Sequence, residues 1–80
     1  MTIYLVCHIV DLGYHVEYAY TTLEKAEAKM TELVSLSKET YIKSVMTPSR
    51  YRVASTYEQA VEDAELYHEK WEIYTVEILE

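Results

Sequence analysis

Hydrophobic positions follow two rhythms along this chain, and each change of rhythm marks an element. From Ile3 to Val10 both alternating sets, Ile3, Leu5, Cys7, Ile9 and Tyr4, Val6, His8, Val10, are largely apolar and rich in β-branched or aromatic residues. That pattern predicts an interior strand. Asp11-Leu12-Gly13 supplies turn chemistry and the chain's one glycine, the residue that most readily takes a positive φ. From Tyr14 to Tyr20 the alternation is strict, with Tyr14, Val16, Tyr18 and Tyr20 on one side and His15, Glu17 and Ala19 on the other. The two segments read as a β-hairpin.

The period then lengthens. Thr21 with Glu24 makes a capping box, and Leu23, Ala26, Met30, Leu33, Val34 and Ser37 mark one face of a helix reaching about Lys38. Tyr41 to Met46 predicts a strand and Tyr51 to Ala54 a weaker one, with Thr47-Pro48-Ser49 as the turn between them. Ser55 with Glu58 forms a second capping box, and Tyr57, Ala60, Val61, Ala64, Tyr67 and Trp71 line a second helix ending near Trp71. Ile73 to Leu79 alternates again and predicts the closing strand. Thr22-Leu23-Glu24-Lys25-Ala26 is echoed 34 residues on by Thr56-Tyr57-Glu58-Gln59-Ala60. Two copies are too few for a repeat array, so the echo reads as shared capping chemistry. The expected fold is α+β: a single domain, 1–80, in the order ββαβαβ, whose small antiparallel sheet has four strands, or five if 41–54 holds two, with both helices on one face.

Composition narrows the function classes. With one glycine and one proline in 80 residues, the chain has neither a phosphate-cradling loop nor a flexible linker, which excludes dinucleotide and P-loop sites. A lone cysteine, Cys7, forms no internal disulfide and fits a reducing compartment, so a cytoplasmic protein is expected. Met1 to Val10 lacks a basic n-region and a small-residue cleavage site, and no stretch reaches membrane length.

Charge changes the picture most. Residues 1–54 hold six acids and six bases, whereas residues 55–80 hold eight acids and only Lys70, so the net charge of −7 sits in the last third. Glu58, Glu62, Glu65, Glu69 and Glu72 recur at steps of four, three, four and three, one stripe if the segment is helical. Its carboxylates would rise about 5 to 6 Å apart along the axis, not unlike a row of phosphates. Lysines four residues away would normally quench such a face. They are missing here, which points to a basic partner and away from direct binding of nucleic acid, whose phosphates need a basic stripe. The plain alternative is a solvated face that keeps the protein soluble.

Nine tyrosines and no phenylalanine form the second unusual feature, because tyrosine suits half-exposed surfaces and interfaces. Tyr57 and Tyr67 fall on the core side of their helix. Tyr14, Tyr18 and Tyr20 are either core or an exposed aromatic patch able to hold a partner or a second copy of the chain. Cys7, His8, His15 and His68 are the available soft ligands or nucleophiles. Cys7 and His8 are neighbours on a strand and point to opposite faces, and no C-x-x-C or H-E-x-x-H spacing occurs. His8 and His15 could meet across the hairpin as a two-ligand site for a small ligand or metal. No metal, no cofactor and no catalytic residue is expected, since the glutamates lie on an exposed side and Cys7 is a buried strand residue.

The run Tyr20-Thr21-Thr22-Leu23-Glu24-Lys25-Ala26, preceded by a hairpin and balanced by an aromatic C-terminal strand, resembles small acidic bacteriophage accessory proteins, several of which disarm host nucleases or other defence systems. The resemblance implies a stoichiometric inhibitor made in the cytoplasm of an infected bacterium. The expected function is therefore binding and inhibition of a basic host protein through the glutamate stripe, as a nucleic-acid mimic. A homodimeric interaction module built on the tyrosine face is the alternative.

Overall fold

Thr2–Val10 forms β1, and the tight turn after it leads into β2, Gly13–Tyr20. In the computed structural model, which describes residues 1–48, 50 and 53–79, these are followed by α1, Leu23–Met46, α2, Tyr57–Tyr67, and β3, Lys70–Glu77. The order is thus ββααβ, and the sheet has three antiparallel strands in the order β2-β1-β3. The α+β class holds, while the strand expected at Tyr41 to Met46 is the end of α1. The strand expected at 51–54 lies partly outside the described residues, and Val53 and Ala54 are in neither helix nor strand.

The chain divides into two compact units, Met1–Val34 with Glu69–Glu80 and Ser35–His68, and α1 begins in the first and ends in the second. In the first unit the hairpin closes at the Val10 and Gly13 pair. Gly13 has φ 149°, a conformation closed to other residues without strain. Val6, Cys7 and Ala26 are wholly buried. The start of α1 lies over one side of the sheet, where the Lys29 ammonium sits 4.5 Å from the Tyr18 ring.

Both helices start one residue later than the capping boxes suggest, and they start alike. Lys25 N–H donates to Thr22 Oγ1 and Gln59 N–H to Thr56 Oγ1, each at 3.3 Å, so Thr22 and Thr56 are the caps. Ala26 and Ala60 are the first residues to donate to a cap carbonyl, and both are fully buried. The internal echo therefore records a shared helix entry: a threonine cap and, four residues on, an alanine small enough for close packing.

In the second unit α1 runs on to Met46 because Tyr41, Ile42 and Val45 keep helical spacing and no glycine or proline intervenes before Pro48. Their β-branched and aromatic character suggests a strand, yet Val45 is buried with Ala60 and Ala64. Packing of that apolar stripe outweighs a propensity difference of under about 1 kcal/mol per residue.

α2 stops at Tyr67, four residues short of the expected Trp71. Its last turn holds no base, so Glu62, Asp63 and Glu65 face the negative end of the helix dipole uncompensated by a neighbour on their own helix. His68 turns extended at ψ 159° and closes the helix, with its backbone N–H 3.2 Å and its Nδ1 2.7 Å from the Ala64 carbonyl. The following residues, Lys70 to Glu77, bond to β1 in an eight-residue register from Ile9 to Thr2, a pairing that a longer helix would forfeit.

Candidate protein-interaction surfaces

The five glutamates do not form one stripe. Glu58, Glu62 and Glu65 lie on α2, within about 60° of each other at 100° per residue. Glu69 lies between α2 and β3, and Glu72 is on β3. Glu65 is also answered: both its oxygens are 3.0 Å from Lys38 Nζ. Glu69 Oε2 is 3.8 Å from His8 Nε2. A search for partners four residues away along one helix cannot find Lys38, which comes from α1. Among the described residues Glu58 and Glu62 keep no ion pair and remain exposed.

The tyrosines are rearranged more deeply. The β1–β2 register runs Tyr4 with Tyr20 and Val6 with Tyr18, then Cys7 with Val16 and Ile9 with Tyr14, with an irregularity at Val6/Cys7. Between Val16 and Tyr18 the extra residue, Glu17, has no partner of its own, which is a β-bulge. Cross-strand partners share a face, so Tyr18 and Tyr20 lie with Tyr4 and Val6 under α1, whereas Tyr14 and Val16 lie with Ile9 and Cys7 on the other side. The expected trio of Tyr14, Tyr18 and Tyr20 on one face is therefore split. No glycine marks the bulge, and perfect alternation conceals it.

The second face, within its unit, carries no helix. It is built from Ile3, Leu5, Cys7 and Ile9 of β1, Tyr14, Val16 and Ala19 of β2, and Lys70, Glu72, Tyr74 and Val76 of β3. Tyr14, Val16, Tyr74 and Val76 are 54, 51, 36 and 43 % exposed. Tyr14 and Tyr74 belong to opposite edge strands, whose backbones stand roughly 9 to 10 Å apart across β1, yet their ring centroids are 4.8 Å apart. Both rings therefore lean inward and meet over Cys7, midway between their partners Ile9 and Leu5. The small thiol leaves them room, and its exposure is zero.

That cover sets the chemistry. Burial first, then the Glu72 carboxylate, pushes the Cys7 thiol up, so at neutral pH it is protonated and a poor nucleophile. The Tyr74 hydroxyl is held protonated chiefly by its hydrogen bond to Glu72. Both folded-state values are raised, so the folded chain binds these protons more tightly than the unfolded chain. Their contribution to stability is complete below about pH 8.5, where an unfolded thiol keeps its proton, and is lost as pH rises through the folded values. Thermal melts from pH 7.5 to 10.5 should show a falling midpoint, with a shallower fall in Cys7→Val. Equal slopes for the two chains would contradict the arrangement.

On the α1 side His8 is the register partner of both His15 and Trp71, and stacks on Trp71 at 4.9 Å. Among the described residues no group of three His, Cys, Asp or Glu is placed to hold a metal ion, and no helix is long and apolar enough to cross a membrane. Scans of protein-family models, curated proteins and solved structures return no match for this chain.

Proposed function

We propose that the chain is a non-catalytic, cytoplasmic protein-interaction module whose working surface is the helix-free face of its sheet. The observation that carries this reading is the set Tyr14, Val16, Tyr74 and Val76, on one face of the three-stranded sheet and each more than a third exposed. Exposed apolar patches of several hundred Å² mark binding sites more often than inert surface, and tyrosine is a preferred anchor of such sites. The edges of the sheet are defended by contrast, β2 by the bulge at Glu17 and β3 by Lys70, Glu72 and Glu77, which are devices that discourage strand addition. The protein partner is therefore met by the face.

A second reading rests on Glu58 and Glu62, the exposed carboxylates of α2 that keep no ion pair among the described residues. In it the chain binds a basic protein, and the resemblance to bacteriophage accessory proteins makes that protein a host factor blocked by nucleic-acid mimicry. Three of the five carboxylates on which this reading rests are displaced or answered, so it stands second. One capture experiment separates the two. Immobilised wild type, Val16→Asp and the double variant Glu58→Lys, Glu62→Lys are exposed to bacterial lysate supplemented with the free wild-type chain at about 50 and 500 mM salt, and the chain itself counts among the proteins captured. The face reading predicts a protein lost with Val16→Asp alone and retained at high salt. Loss with the lysine variant and with rising salt instead favours the second reading, and identical capture by all three baits overturns both.

A further inference from the structure

We infer that the occupant of the helix-free sheet face is a second copy of this chain, the two sheets packing face to face about a two-fold axis; this rests on the face reading above.

Charge argues for it first. The chain carries a net charge of −7, and two copies approaching through most of their surface repel. Among the described residues that the register places on this face, however, one is a base and one an acid, Lys70 and Glu72, the register partners of Ile9 and Cys7 on β1. The register-placed charges of the patch cancel on an acidic protein, so like copies meet there with less of that penalty than through the rest of their surface. A basic partner gains nothing there, and would be drawn to α2 instead. A two-fold contact pairs residue i with j and j with i, so a patch holding one charge of each sign meets its complement twice.

Size argues for it next, and sets the strength. Three strands of eight or nine residues span about 14 by 27 Å at 4.8 Å between strands and 3.3 Å per residue, or roughly 400 Å² per copy before corrugation. Pairing two such faces buries on the order of 800 Å², the range of weak and transient complexes rather than obligate dimers. That area fits a chain whose wholly buried residues include Val6, Ala26 and Ala60 outside the patch, so that each copy has packing of its own. The Tyr14–Tyr74 ring pair lies across the middle strand of the patch, and aligned sheet packing at about 10 Å sets two such pairs against each other.

Sedimentation velocity of the full chain from about 5 µM to 1 mM tests this. Wild type should pass from monomer to dimer mass with a dissociation constant in the micromolar range, and dimerisation should strengthen severalfold as salt rises from about 50 to 500 mM, because screening removes net repulsion. Val16→Asp and Val76→Asp, each checked for native circular dichroism, should weaken it at least tenfold, whereas Glu62→Lys should leave it in place. Having substitutions on two different strands keeps the test valid if one of them fails to fold. A wild type monomeric throughout overturns the second copy; the face reading then still stands if Val16→Asp loses a captured protein. A wild-type dimer that both aspartate variants form equally well overturns the face itself.

Discussion

Replacing Val6 by aspartate is expected to leave the chain unfolded at 25 °C. Val6 is at the middle of the central strand, opposite Tyr18 on one side and Ile73 on the other, and has no exposed surface. It shares its face with the Tyr18 ring over which Lys29 of α1 sits. The substitution removes about 1.5 to 3 kcal/mol of apolar burial and adds a carboxylate without a partner, for a total of about 4 to 5 kcal/mol or more. An 80-residue chain has about 4 to 12 kcal/mol to lose at roughly 0.05 to 0.15 per residue. Loss of the far-ultraviolet helix signal, or of cooperative urea unfolding, is the readout. A variant within about 1 kcal/mol of wild type would mean that α1 does not seal this side.

A pair of single-residue deletions should have opposite outcomes, and the difference between them should be nearly as large. Removing Glu17 takes out the bulge residue and leaves every other partner in place, since Val16 still meets Cys7 and Tyr18 still meets Val6. The strand becomes regular, and stability should change by about 1 kcal/mol or less. Removing Ala19 keeps the strand the same length as in the first deletion but slides Glu17 opposite Val6 and Tyr18 opposite Leu5. A one-residue slip moves side chains to the wrong face, so a carboxylate enters the side under α1 and the Tyr18 ring leaves it, at a cost of several kcal/mol. Urea midpoints of the two purified chains decide the matter, and equal midpoints would contradict the bulge.

The hairpin, the central place of β1 and the existence of both helices were legible because each is written in a local signal: continuous apolar residues, a glycine at the turn, capping residues one position before the true caps. The rest depended on competition between distant segments. Residues 68–72 can continue a helix or join a strand, and the choice falls to the ladder with β1, which is more than sixty residues away in sequence. Residues 41–46 look like a strand until Val45 has Ala60 and Ala64 as companions in burial.

The candidate sites followed the same division. The glutamates were identified by periodicity, but periodicity assumed a helix through Glu72, and Lys38 lay beyond its reach. Tyr14 belongs to the face proposed above as the interface. Its true neighbours, Tyr74 and Val76, were hidden because strict alternation in β2 implied that Tyr18 and Tyr20 shared its face. A bulge without a glycine leaves no mark on a hydrophobic pattern, and only the partner strand reveals it.

The central claim is that the two faces of this sheet differ: the start of α1 lies over the one that holds Val6, and the other, within its unit, carries no helix. The most direct test is the unfolding free energy of Val16→Asp beside that of Val6→Asp, the same chemical change at opposite faces of one sheet. The account predicts that the Val16 variant stays within about 1 kcal/mol of wild type while the Val6 variant unfolds. Comparable destabilisation of the two would contradict it, because the surface carrying Tyr14, Val16, Tyr74 and Val76 would then be interior rather than a place to bind.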